Sequence, residues 1–187
     1  MSYLDTYNKD DLQELKELIT VNNRHTNVVE KKLKMLNLSI LGDGGSRVVV
    51  HNENHDCVIK FQKKQDKYEE NKTEAKTYSR LKEKPVSNVL VPVIEHTKNF
   101  DTIVQEKIDQ SNTGKRDVLK ISALLIYNYG YFSDDIHRSN IGMYKNNSVN
   151  VLKINDYGRG VDVIENTKFT NKHEAFERAM DAISIKI

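Results

Sequence analysis

The sequence predicts an α+β fold built around a five-stranded antiparallel sheet. Two observations carry this: short β-branched runs separated by polar or glycine turns fill residues 38–108, and helical apolar spacing appears before, inside and after them. The second part of the chain has apolar blocks of helical length joined by polar loops, so it reads as mainly helical.

The first helix is predicted over 10–20, where Leu12, Leu15, Leu18 and Ile19 recur at helical spacing behind Asp10 and Asp11. After the polar break at 21–25, Thr26 is a candidate cap for a second helix reaching Leu36, with Val28, Val29, Leu33 and Leu36 inward. Then Ser39–Leu41, a Gly42-Asp43-Gly44-Gly45-Ser46 turn and Arg47–His51 read as strand, turn and strand, and Cys57–Gln62 is a third strand. A helix over 66–82 follows, with Tyr68, Ala75, Tyr78 and Leu81 on one face, and Lys84-Pro85 ends it. Residues 89–95 and 102–108 complete the five strands. Beyond a short linker at 111–114, a buried helix is expected over 118–129, a strand over 149–154 after the turn at 145–148, and a last helix over 172–183 with Ala175, Phe176, Ala179 and Ile183 inward. The predicted organisation is a helical extension (1–37), a sheet-bearing lobe (38–110) and a small second lobe (111–187).

Composition narrows the function classes. With 187 residues, 37% hydrophobic and 30% charged, the chain suits one ordinary domain or two small lobes with a real core. Its net charge of +2 comes from interspersed lysines, arginines and carboxylates, with no basic stripe for nucleic acid. A single cysteine, Cys57, excludes an intrachain disulfide and a multi-cysteine zinc site. No run approaches the ~20 apolar residues of a membrane span, and the polar N-terminus lacks a signal-peptide core, so a cytoplasmic location is expected.

Four local patterns carry chemistry. Gly42, Gly44 and Gly45 between two strands let backbone amides approach an anion closely, although tight hairpins use glycine too. Lys60 lies on a predicted strand, where it either snorkels from an edge or offers charge to phosphates. Glu74, mid-helix, is the best carboxylate partner for it, with Glu69 and Glu70 as competitors. The strongest signal is Asp134-Asp135-Ile136-His137-Arg138-Ser139-Asn140, a polar loop that can aim a carboxylate at a hydroxyl and an amide oxygen at a metal. Asp156-Tyr157-Gly158 places another carboxylate at a strand end, where Asp-x-Gly is also an ordinary turn.

The order of these patterns over 38–160 resembles the protein-kinase-like and aminoglycoside/choline phosphotransferase superfamily, and the chain looks like the very compact kinase-like proteins of some bacteriophage genomes. The resemblance implies a two-lobed kinase-like fold with a truncated second lobe, ATP and Mg²⁺ as cofactors, and host cytoplasm as the location. It implies that Gly42, Gly44 and Gly45 cover the nucleotide, that Lys60 binds phosphates and pairs with Glu74, and that Glu106 and Ile108 grip adenine. It implies further that Asp135 is the catalytic base and that Asn140 and Asp156 are the metal ligands. His137 is more like the small-molecule phosphotransferases, while the acceptor stays open between protein and small molecule.

Three positions depart from the family pattern: Arg47 replaces a third loop glycine, Ser133-Asp134 replaces His-Arg or His-Gly, and Tyr157 replaces phenylalanine. The stretch after Gly158 is also too short for the usual large helical part of the second lobe. The expected function is therefore a minimal Mg-ATP-dependent kinase. The alternative is a pseudokinase acting as a nucleotide- or partner-binding module; a nucleic-acid-binding domain ranks below both.

Overall fold

A computed structural model describes residues 2–20, 27–63, 69–146 and 149–185. The polar break at 21–25, the Thr26 cap, the helix residues 66–68 and positions 147–148 of the predicted turn lie outside the described residues, as does the Ile183 side chain. The fold is α+β, and the chain divides into two compact units, Met1–Ala75 with Val93–Lys107, and Lys76–Pro92 with Ile108–Ile187.

In the first unit, α1 (Lys9–Thr20) starts one residue earlier than its apolar stripe because the Asn8 side chain accepts from the amides of Asp10 and Asp11 at 3.0 and 3.1 Å. The second helix, α2 (Asn27–Met35), ends at Asn37, whose φ of 56° lies in the left-handed region that asparagine tolerates. It buries Val29 but leaves Val28 55% exposed, which corrects the inward assignment of Val28: adjacent residues are ~100° apart on a helix, and here that turn carries Val28 off the face that buries Val29.

Strands β1 (Leu38–Asp43), β2 (Arg47–Asn52), β3 (Cys57–Gln62), β4 (Val93–His96) and β5 (Thr102–Glu106) form one antiparallel sheet in the order β1-β2-β3-β5-β4. Helix α3 (Glu70–Leu81) is inserted between β3 and β4 in the chain. The core of this unit joins Leu12, Leu15 and Ile19 of α1 and Val29 of α2 to Val48, Val50, Ile59, Phe61 and Val104 of the sheet. The first two helices are therefore part of the sheet's packing, each fully buried large apolar side chain contributing ~1.5–3 kcal/mol.

The strand expected over 89–95 is shorter than its β-branched pattern. Pro85–Val89 forms a 3₁₀ turn, Pro92 has no amide to donate, and the Val91 amide donates to Ile154 O at 2.9 Å, outside the sheet. Likewise β5 stops at Glu106, because Asp109 exchanges backbone hydrogen bonds with Met143 at 2.9 and 2.7 Å.

The second unit begins its helical part at α4 (Lys115–Ala123), where an Asp117 carboxylate oxygen accepts from the Gly114 amide at 3.0 Å. The expected single helix over 118–129 instead widens into a π segment at Leu124–Asn128 and ends at Gly130, φ 74°. Two short ladders join these helices: β6 (Tyr131–Phe132) pairs with β9 (Asp162–Val163), and β7 (Ile141–Asn146) pairs with β8 (Val149–Ile154). Strand β7 escapes the sequence pattern because Gly142 interrupts it. A Cβ there would stand 2.7 Å from Asp109 O and Ile108 Cδ1, so glycine is required by the close approach of that backbone. Helix α5 (Lys172–Ile185) buries Ala175 and Ala179 against Ile126, Phe132 and Ile164, with Phe169 and Phe176 packed alongside. Among the described residues no helix is long and apolar enough to cross a membrane.

Candidate functional site

Lys60 sits on β3, the middle strand of the sheet, and is 3% exposed rather than reaching water from an edge. Burying an ammonium is costly unless a carboxylate meets it, and Glu74 of α3, with no exposure, accepts from Lys60 Nζ at 2.8 Å. Glu69 is exposed and pairs with Lys72, so the competition among the three glutamates is decided by helix phase. Asn71 fixes that phase: its backbone amide donates to Gln62 Oε1 at 2.9 Å, and its side chain donates to Lys60 O at 3.0 Å.

Arg47 is the residue that sequence reasoning undervalued. It is 4% exposed, its Nη1 pairs with the second oxygen of Glu74, and its Nε lies 3.3 Å from Glu70. Gln105 adds a third donor to Glu74 at 2.8 Å. Two cations and two carboxylates thus balance within one buried cluster, which makes the missing third glycine a gain of an ion-pair partner. The available signal was the apolar run: Arg47 directly precedes three valines on a strand, where a charged residue points inward only if it is paired.

The glycine turn closes through the Gly44 amide donating to Arg47 O at 2.9 Å. Gly42, Gly44 and Gly45 all lack positive φ, and a Cβ on Gly45 would meet nothing within 4 Å. Turn handedness therefore does not demand these glycines. Lys63, another position the sequence did not single out, is 9% exposed, donates to Gly44 O and pairs with Asp43 at 2.9 Å, placing a cation at the turn. At the end of β5, Glu106 lies opposite Cys57, and Glu106 Oε2 is buried with no hydrogen-bond partner among the described residues. Burial, then the Glu106 and Asp56 charges, push the Cys57 thiol above its ordinary range, which disfavours the thiolate.

The second unit carries the other predicted positions. Asp135 and Asn140 lie on the loop between β6 and β7, and the Asn140 side-chain nitrogen donates to Asp135 O at 2.9 Å and to Asp135 Oδ2 at 3.3 Å. With its nitrogen so used, Asn140 offers its amide oxygen to a cation. The Asn155 amide donates to Asn140 O at 2.9 Å, which ties the residue before Asp156 to the same loop. Asp156 follows β8 in a turn where the Gly158 amide donates to Asp156 Oδ1 at 3.3 Å. Tyr157 is fully buried and its hydroxyl donates to Val91 O at 2.6 Å, so the tyrosine in place of phenylalanine satisfies a backbone carbonyl. Ile108 packs its Cδ1 over Gly142.

Two nitrogen-bearing side chains stand near Asp135: His137 Nε2 lies 3.6 Å from Oδ1, and the Arg159 guanidinium Nε lies 3.6 Å from Oδ2. Ser139 Oγ is 2.8 Å from His137 Nδ1 and steadies the imidazole. Among the described residues no three His, Cys, Asp or Glu side chains gather as a ready-made metal cage. An amide oxygen and one carboxylate nevertheless suit Mg²⁺, which is commonly held by one or two carboxylates together with substrate phosphates. No protein-family model matches the chain, and no curated protein matches it.

Proposed function

We propose that the chain is a minimal Mg-ATP-dependent phosphotransferase with a two-lobed protein-kinase-like fold, moving a γ-phosphoryl group to a hydroxyl of a small molecule or protein. The observation that carries this is the Lys60–Glu74 pair, buried at 2.8 Å in the middle of an antiparallel sheet. Sheet stability gives no reason to bury that pair, since apolar residues of similar volume do as well there. A lysine held rigidly for polyanionic phosphates does give one.

In this reading Lys60 takes nucleotide phosphates, and Arg47 keeps Glu74 compensated when the ammonium turns toward them. The open backbone at Gly45 covers the phosphates, and Glu106, whose Oε2 has no hydrogen-bond partner among the described residues, receives the adenine together with Ile108. Mg²⁺, when bound with ATP by Asn140 and Asp156, neutralises charge on the phosphate oxygens. Asp135 orients the acceptor hydroxyl and takes its proton as the new P–O bond forms and the bond to ADP breaks, and His137 and Arg159 steady the carboxylate.

A second reading, a nucleotide- or partner-binding module without catalysis, is favoured by Arg159 standing against Asp135 and by Ser133-Asp134 preceding it. One comparison separates the two. Asp135→Asn is expected to lower phosphoryl transfer ~10²–10⁴-fold while ATP binding is kept. Wild-type protein that binds Mg-ATP yet labels neither itself nor any hydroxyl acceptor leaves the binding module as the answer.

A further inference from the structure

The second unit holds a further feature. A cavity of about 240 Å³ in the second unit is lined by Ser133, Arg159, Lys168 and Arg178, with Phe132 and Phe169 as an edge-to-face aromatic pair, centroids 4.6 Å apart. We propose that it is an acceptor subsite for a small metabolite that already carries a phosphate group, such as a sugar phosphate.

Charge supports an anion. Three cationic side chains line the cavity against Asp134 and Asp162, and Asp162 lies 3.4 Å from Arg80, which offsets its charge. Lys168, which feels only the Glu174 charge beyond salt-bridge distance, and Arg178 have no salt-bridge partner among the described residues, so two of the three cations can turn to a ligand. Ser133 points the same way: it is 6% exposed, lines the cavity and makes no hydrogen bond among the described residues. Its oxygen is open to the cavity, where a phosphate oxygen would accept from it.

Size and shape decide the class. The volume falls below the ~300–1,000 Å³ of pockets for drug-sized ligands, which suits a metabolite. The Phe132–Phe169 pair gives the carbon face of a sugar an apolar wall. The cavity also adjoins the reacting group: Ser133 and Asp134 immediately precede Asp135, and Arg159 both lines the cavity and stands 3.6 Å from Asp135 Oδ2. A phosphate drawn to Arg159 would therefore present its neighbouring hydroxyl beside the base. The acceptor role rests on the phosphotransferase reading above; the anion site does not.

The test uses the full chain without nucleotide. Titration calorimetry with glucose 6-phosphate, inorganic phosphate and glucose is expected to show binding of the first two and none of the third. The exposed-residue double variant Lys168→Glu/Arg178→Glu should weaken glucose 6-phosphate at least ~10-fold with an unchanged circular dichroism spectrum, and Lys168→Arg should retain it. Absence of glucose 6-phosphate binding at millimolar concentration overturns the site, as does equal binding by a folded double variant. Tighter binding of a phosphoserine peptide than of glucose 6-phosphate overturns the small-molecule class. Transfer of labelled phosphate from ATP is then measured on the same sugar phosphate. Loss of transfer with binding intact counts against the phosphotransferase reading and leaves the anion site standing.

Discussion

Glu74 accepts hydrogen bonds from Lys60, Arg47 and Gln105 with no solvent exposure, so its negative charge depends wholly on protein donors. Removing Arg47 leaves Glu70 and Glu74 short of a cation in a dry setting. Arg47→Ala is expected to cost about 3 kcal/mol in urea unfolding, and Arg47→Lys to recover only part, since an ammonium cannot span both carboxylates. A midpoint within error of wild type would show the cluster to be solvated. His51 provides a pH dependence. It is 7% exposed, and burial, then the charge of Lys107 at 2.8 Å, hold its pKa below the ordinary 6.5. Glu53 and Asp56 oppose that shift without reversing it. The folded state therefore favours the neutral ring, while the unfolded chain takes up a proton near pH 6.5. Stability from this residue is fully present above that pH and is lost as pH falls below it toward the depressed folded value. Urea midpoints between pH 7.5 and 5 should fall more steeply for wild type than for His51→Gln; equal slopes would assign the dependence to other groups.

At the scale of elements, α1 belongs to the sheet's core. Leu15 and Ile19 have no exposure and join Val48, Val50 and Phe61 in one cluster. Leu15→Ala is expected to destabilise by ~2–5 kcal/mol in the same urea measurement, whereas exposed Glu17→Ala should change little. An effect of Leu15→Ala under ~0.5 kcal/mol would mean that α1 is dispensable for the sheet. The periodic elements were legible because their apolar spacing matches a single buried face: α1, β3 and α5 lie close to where the spacing puts them. The missed or shortened ones had local reasons. Pro92 and the Val91–Ile154 hydrogen bond take residues from β4, and Gly142 breaks the alternation of β7 while allowing the Ile108–Asp109 backbone to approach.

For the whole molecule, the proposed activity implies ligand-linked stability. Mg-ATP at 100 times its dissociation constant is expected to stabilise the fold by ~2.7 kcal/mol, seen as a raised Tm. Asp156→Asn should remove the magnesium-dependent part of that rise and keep the part given by ATP with EDTA. An identical Mg²⁺ response in the variant would take Asp156 out of metal binding. By itself the sequence determined the residue types, their order and the periodic elements: Lys60 on a strand, Glu74 on a helix, Asp135 and Asn140 five apart on one loop. These follow from local spacing. Only the tertiary structure decided which charges meet. Arg47 joins Lys60 on Glu74 because strand pairing and helix phase bring distant residues into one dry cluster, and burial makes each unpaired charge too costly to leave. The cavity lined by Ser133, Arg159, Lys168 and Arg178 was invisible for the same reason: its walls come from four separate stretches of chain that packing alone brings together.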